Sequence, residues 1–127
     1  KIYPKKDSEI NFSRIANIIQ DHQSNLIVTS RANGAIKINK EALRNNVFNS
    51  STITAFDLPT KKIKSIYISR DKTLWIGSLG NGVFFQNNSG LKFKNYHIKD
   101  SKNNSIISNT RSIIKDDYNN LWIGTLV

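Results

Sequence analysis

Few side chains in this sequence are able to do chemistry. Histidine occurs twice, as His22 and His97, one in an expected turn and one at an expected strand end. No H-E-x-x-H or H-x-H spacing is present, so each reads as a solvated surface histidine. Asp116-Asp117 forms an acidic pair in a turn. Such a pair caps backbone amides or holds a cation, and no calcium-loop spacing of oxygens follows it, which favours capping. Asp7 and Glu9 read as solvated. Cysteine is absent, which removes a thiol nucleophile, a disulfide framework and every cysteine-based zinc site. No G-x-x-x-x-G-K-[ST] or G-x-G-x-x-G loop occurs, and Gly80-Asn81-Gly82 lacks the third glycine. The expectation is therefore no catalytic residue, no metal site and no cofactor.

Basic residues are the more conspicuous group. Nineteen Lys and Arg against nine Asp and Glu give a net charge of +10, which attracts polyanions of any kind. Isoleucine, asparagine and lysine are abundant and have AT-rich codons, so a low-GC genome would supply much of this excess. The clusters are Lys5-Lys6, Lys61-Lys62-Lys64 and Lys92-Lys94, with Tyr3, Tyr67, Phe93 and Tyr96 nearby. Interleaved basic and aromatic residues bind single-stranded nucleic acid. Here, however, the aromatics alternate along strands as core residues do, and no nucleic-acid-binding signature appears, so nucleic acid is not an expected partner. Lys92 and Lys94 share the solvated face of a strand opposite Phe93. Lys61-Lys62-Lys64 falls in a loop between strands, where it serves solubility or meets an anionic oligosaccharide.

The elements that must position these residues belong to one domain. A chain of 127 residues buries about two-thirds of its unfolded surface. Its longest apolar runs, such as Leu26-Ile27-Val28 and Val83-Phe84-Phe85, fall far short of the roughly 20 residues that span a bilayer. No secretory h-region stands at the N-terminus. The sequence begins at Lys1 and reads as a mature form or a piece of something longer.

Internal repetition organises the rest. Leu74-Trp75-Ile76-Gly77-Ser78 returns 47 residues later as Leu121-Trp122-Ile123-Gly124-Thr125. Each copy has a matching approach, Ile63 to Ile68 before the first and Thr110 to Lys115 before the second. Stepping back 48 residues lands on Leu26-Ile27-Val28-Thr29-Ser30, approached by Ile15 to Asp21 and followed by Arg31-Ala32-Asn33-Gly34-Ala35. The last run aligns with Leu79-Gly80-Asn81-Gly82-Val83.

Within a repeat the pattern is short strands and turns. Residues 63–68, 74–78, 83–86 and 91–97 read as four strands. Asn33-Gly34 and Asn81-Gly82 signal hairpins, because both residue types tolerate the positive φ of tight turns. One or two helical turns fit residues 40–46. Four antiparallel strands in about 47 residues make one propeller blade. The fold class is all-β: an incomplete ring with a degenerate blade over about 9–56, a blade over 57–104, and the start of a third over 105–127.

This run of Ile-x-Ser-Ile, a polar turn, Leu-Trp-Ile-Gly-Ser/Thr and Asn-Gly-Val resembles the two-component-regulator propeller repeat. Residues 63–86 and 110–125 carry the motif, and 15–38 carry a degraded copy. The family's acidic turn position holds Asp21 and Asp116 but Ser69 in the middle repeat. Its glycine position holds Ser24, Lys72 and Asn119, of which only asparagine readily takes left-handed geometry. Ile27 and Thr29 stand where Trp75 and Gly77 stand in the second repeat, which predicts a less regular first blade.

The motif residues have structural roles. Trp75 and Trp122 are expected to fill the wedge between neighbouring blades, while Leu74, Ile76, Leu121 and Ile123 pack beside them. Gly77 and Gly124 leave room for a neighbour to approach. Propellers close with about four to eight blades, so exposed strand edges predict pairing with further blades of a parent chain or with a second copy.

The resemblance implies a place in the periplasmic sensor region of a Bacteroidetes hybrid two-component system, a sensor histidine kinase whose ATP-binding parts lie outside these residues. It also implies an oligosaccharide ligand derived from a complex glycan, and no membrane contact within these residues. Two rival readings stand beside it. One is a generic protein–protein interaction propeller. The other is part of a propeller polysaccharide-degrading enzyme, which would need convergent carboxylates, tyrosines or histidines in loops that here are mostly Asn, Ser and Lys.

Overall fold

The computed structural model describes residues 13–88, 92–96, 99, 101–104 and 109–126. Ten strands and one short helix follow one another: β1 (Ile15–Gln20), β2 (Leu26–Ser30), β3 (Gly34–Ile38), α1 (Lys40–Asn45), β4 (Ile53–Ala55), β5 (Ile63–Ile68), β6 (Leu74–Ser78), β7 (Val83–Gln86), β8 (Lys94–Tyr96), β9 (Thr110–Lys115) and β10 (Leu121–Thr125). They form three antiparallel sheets, two four-stranded meanders (β1-β2-β3-β4 and β5-β6-β7-β8) and a two-stranded pair (β9 with β10). The fourth strand of the second sheet is shorter than expected, and Leu91 and His97 lie outside the described residues.

Alternation along each strand explains how the sheets stack. In β6, Leu74 and Ile76 point to the first sheet and, with Ile63 and Phe84 of their own sheet, pack on its Ile27 and Ala35 in a buried cluster. Trp75 points the other way, with Val83 and Tyr67, onto Ile113, Leu121 and Ile123 of the third sheet. The second sheet therefore buries both faces of its second strand, whereas β10 of the third sheet leaves Trp122 exposed. The far face of the first sheet is covered locally: Val28, Ile38 and Ile53 pack on Ala42 of α1, with Leu43 and Phe48. The helix starts where expected. Asn39 caps it by accepting from the Ala42 amide at 2.8 Å, and left-handed Asn46 ends it.

The first sheet is as complete as the second, despite its divergent residues. The reason lies in the turns. Ser24, Lys72 and Asn119 all adopt left-handed backbone, at φ 67°, 64° and 72°. The turn geometry thus imposes positive φ on serine and lysine as well as on asparagine. In the two Asn-Gly hairpins only the glycines, Gly34, Gly80 and Gly82, have positive φ; Asn33 and Asn81 do not. These turns are longer than a two-residue hairpin: Ser30 pairs with Gly34, and the Ser78 amide and hydroxyl both donate to the Gly82 carbonyl.

Gly77 permits the close approach expected of it. A β-carbon built there would overlap the Ser65 hydroxyl and lie 2.6 Å from the Thr110 methyl. Gly124 likewise faces the Ser112 hydroxyl. In the first sheet the same position is Thr29, fully buried, within 3.4 Å of the Asn17 side-chain amide.

Candidate ligand-binding site

Each β-turn between the first two strands of a sheet is built around a carboxylate. Asp116 accepts the Tyr118 and Asn120 amides and, at 2.8 Å, the Trp122 indole N–H. The indole and Asn120 bonds hold its carboxyl at about 2, well below the ordinary 3.8. In the second sheet Ser69 occupies the acidic position, and the turn works by relay. The Trp75 indole donates to the Ser69 hydroxyl at 3.2 Å, and that hydroxyl donates to Asp71. Hydrogen bonds from Ser69 and Lys115 hold the Asp71 carboxyl below its usual range. In the first sheet Asp21 accepts the Gln23 and Asn25 amides, and its charged partner is Lys37, at 3.2 Å. Several hydrogen bonds, led by that of Asn25, outweigh the larger single effect of burial and leave the Asp21 carboxyl below its ordinary value.

The two tryptophans therefore differ in what surrounds them. Trp75 fills the space between the second and third sheets and stacks on Phe85, ring centroids 5.1 Å apart. Trp122 keeps its carboxylate bond but is 61% exposed on the outer face of the third sheet. Filling a wedge between blades, expected of both, is seen for Trp75 and not for Trp122 among the described residues.

The opposite ends of the strands carry the basic residues. The first strand of each sheet has a β-bulge at the same place, opposite the second strand's Gly or Thr: Ala16, Lys64 and Arg111 are the residues left without a partner in the register. A bulge re-aims its side chain. Lys64 consequently lies within reach of the charges of Arg31 and Arg111. The Lys64 ammonium is held below its usual pKa by partial desolvation, then by the charges of Arg31 and Arg111. Lys61 and Lys62 are fixed beside them through their carbonyls, which accept from the Gly34 and Leu79 amides.

Lys61-Lys62-Lys64, singled out in the sequence, thus joins Arg31 and Arg111, which were not. For Arg111 the signal was the 47-residue repeat, since it falls one period after Lys64; nothing in the repeat pointed to Arg31. Lys94, at the start of β8, and Lys92, two residues before that strand, are both exposed, and Phe93 packs edge-to-face on Phe56. His22 is exposed in the first turn. Tyr3, Lys5, Lys6, Asp7, Glu9 and His97 lie outside the described residues. Among the described residues no cluster of ligating side chains could hold a metal ion, and no helix is long and apolar enough to cross a membrane.

Between the carboxylate-centred turns of the first and second sheets lies a cleft of about 240 Å³. Ile27, Ile68, Leu74 and Phe56 form its apolar part, and Asp21, Gln23, Lys37 and Asn88 are among its polar groups. A smaller cleft, about 160 Å³, occupies the same place between the second and third sheets.

Comparison with known proteins follows the same geometry. Residues 57–80 and 101–126 match the family model of the two component regulator propeller. The backbone superposes on the extracellular domain of BT4673 from B. thetaiotaomicron, assigned to a hybrid two-component system, with a TM-score of 0.69 and 19% identity. That match covers 88% of this chain and 15% of the other, so the chain spans only a small part of that domain. Virginiamycin B lyase from Staphylococcus aureus superposes with a TM-score of 0.65 at 19% identity, over 88% of this chain and 34% of the enzyme. At such identities the likeness is one of fold. No curated protein matches the chain. Three antiparallel sheets in series, the Leu-Trp-Ile-Gly strands and the family match lead to one conclusion: residues 57–80 and 101–126 are similar to two-component regulator propeller repeats.

Proposed function

We propose that this chain is a ligand-sensing segment of the extracytoplasmic region of a hybrid two-component sensor, a periplasmic module controlling a histidine kinase elsewhere in its parent protein. The observation that carries this reading is the double match to the regulator propeller repeat at blade spacing. The fold shared with the BT4673 extracellular domain supports it. The ligand in this reading is an oligosaccharide derived from a complex glycan. A basic end formed by Arg31, Lys64 and Arg111 suits one that bears carboxylate or sulfate groups. Sensing requires the ligand to bind two states of the receptor with different affinity. Further blades of the parent chain, or a second copy, are the partners that would cover the open strand edges.

The test is a thermal-shift comparison of the 127-residue chain with neutral, sulfated and uronic oligosaccharides and with DNA, at low and high salt. A ligand that binds only the folded state raises its apparent stability. A shift with one oligosaccharide class that survives high salt is the expected result. Shifts with every polyanion, DNA included, that vanish in high salt would reduce the basic end to nonspecific attraction.

A further inference from the structure

The first and third sheets are the outer sheets of the stack, and each leaves apolar side chains uncovered. On the third, the cross-strand pair Trp122 and Ile114 is 61% and 58% exposed. One period earlier the same pair is Trp75 and Tyr67, which the third sheet covers with Ile113, Leu121 and Ile123. On the first sheet, Ile18 of β1 is 59% exposed. Its counterparts in the next two sheets are each covered by the sheet before them. Ile66 packs in the cluster of Ile27, and Ile113 in that of Trp75. Exposed apolar residues are informative when they are contiguous, as Trp122 and Ile114 are.

The two uncovered faces are complementary. The residues that receive Trp75 are Ile113, Leu121 and Ile123, and two periods back the same positions are Ile18, Leu26 and Val28. The first sheet thus carries a seat for a tryptophan, and the third carries a tryptophan without a seat. Their widths match as well. Ala42 of α1, with Leu43 and Phe48, already covers Val28 and, on the strands beyond it, Ile38 and Ile53. The opening that remains runs along β1 and the start of β2. Among the described residues the third sheet has just two strands, β9 and β10, to place there. The turns agree too. Across the second and third sheets Arg70 meets Asp117 at 2.7 Å and Asp71 meets Lys115 at 3.0 Å. Between two copies the same positions are Asp117 with His22 and Tyr118 with Gln20, an acid with an imidazole and a phenol with an amide. All four are exposed.

We propose that a second copy of the chain covers these faces, with Trp122 and Ile114 of one copy seated on Ile18 and Leu26 of the other. The contact is heterologous, since each copy gives one face and receives on the other. Made twice between the same two copies, it closes a ring of six sheets, three from each. That number lies within the about four to eight at which propellers close. The pairing follows from the repeat geometry and is independent of what the basic end binds.

The experiment is sedimentation velocity of the 127-residue chain across a concentration series. The expected species is a dimer of the 14.4 kDa chain, with no larger species growing in as concentration rises. Trp122→Ala and Ile18→Asp should each weaken dimerisation about tenfold or more, with the far-ultraviolet circular dichroism unchanged because both side chains are exposed. Ile114→Asp, on the same face as Trp122, covers the case in which Trp122→Ala does not fold. Mixing the Trp122→Ala and Ile18→Asp chains should recover a dimer weaker than the native one, because one of its two contacts then joins an intact Trp122 face to an intact Ile18 face. Lys92→Ala/Lys94→Ala, exposed on the middle sheet, should leave the dimer unchanged. A native chain that stays monomeric at every concentration would overturn the proposal and leave the Trp122 face to a further blade. A dimer that survives Ile18→Asp would overturn it too, as two third sheets would then be pairing face to face. So would open-ended growth into larger species.

Discussion

The interface between the first and second sheets and that between the second and third are built from the same strands at the same register, yet they are closed differently. The second interface is sealed by a ring stack, a hydroxyl relay and two ion pairs. The first relies on aliphatic packing around Ile27, Ile63 and Ile76, with its one strong electrostatic contact, Asp21 to Lys37, kept within a single sheet. The comparison teaches that a repeat's backbone survives the loss of its signature side chains when the turn geometry is kept. What those side chains decide is how tightly neighbouring sheets close.

The largest effect is expected at the stack. Trp75→Ala should cost about 3 kcal/mol in urea unfolding, through lost burial and the cavity left behind. A loss below about 1 kcal/mol would mean that the second interface does not depend on its ring stack. Next is Gly77→Ala, which forces a β-carbon against Ser65 and Thr110 and should cost about 2 kcal/mol. The Ser65 hydroxyl is buried without a hydrogen-bond partner, so adding Ser65→Gly should recover part of that loss. A neutral Gly77→Ala would show that the sheets can separate there freely.

A gain is expected in the turns. Lys72→Gly and Ser24→Gly should each stabilise by about 1 kcal/mol, because glycine relieves left-handed strain, whereas Asn119→Gly should gain less. Equal responses at all three would erase the distinction between asparagine and the other two. Asp71→Asn breaks the bridge to Lys115 and should cost about 0.5 kcal/mol, since Asp71 is half exposed. High salt should shrink that difference.

The smallest effect is the pH dependence of the third sheet. The folded-state pKa of Asp116, at about 2, is depressed from 3.8. Its stabilising contribution is therefore present above 3.8 and is lost as pH falls through about 2. Trp122→Phe removes the first cause of the depression, and the Asp116 carboxyl resonance should then titrate closer to its ordinary value. A native chain in which Asp116 already titrates near 3.8 would exclude the indole bond.

Much of the architecture was legible because it is local. Strand alternation at 63–68 and 74–78, the helix at 40–45 with its flanking asparagines, and the recurrence of Leu-Trp-Ile-Gly all rest on neighbouring residues. Other features were not legible, since they couple residues from separate strands. Ser24 and Lys72 in left-handed backbone contradict their own propensities, and the turn overrides them. Lys37 is an ordinary strand lysine in sequence. Only its register opposite Ile27 brings it to Asp21 and opens a cleft. Arg31, in the turn after β2, and Arg111, at a bulge of β9, are 80 residues apart, and both act on Lys64 at the bulge of β5.

By itself the sequence determined the period and the strand faces, because alternation and turn chemistry act over a few residues. The tertiary structure alone decided which tryptophan is covered, where the cations converge and which interface stays open. Those outcomes depend on the side chains a neighbouring sheet places opposite, and that pairing is set by the stacking of whole sheets.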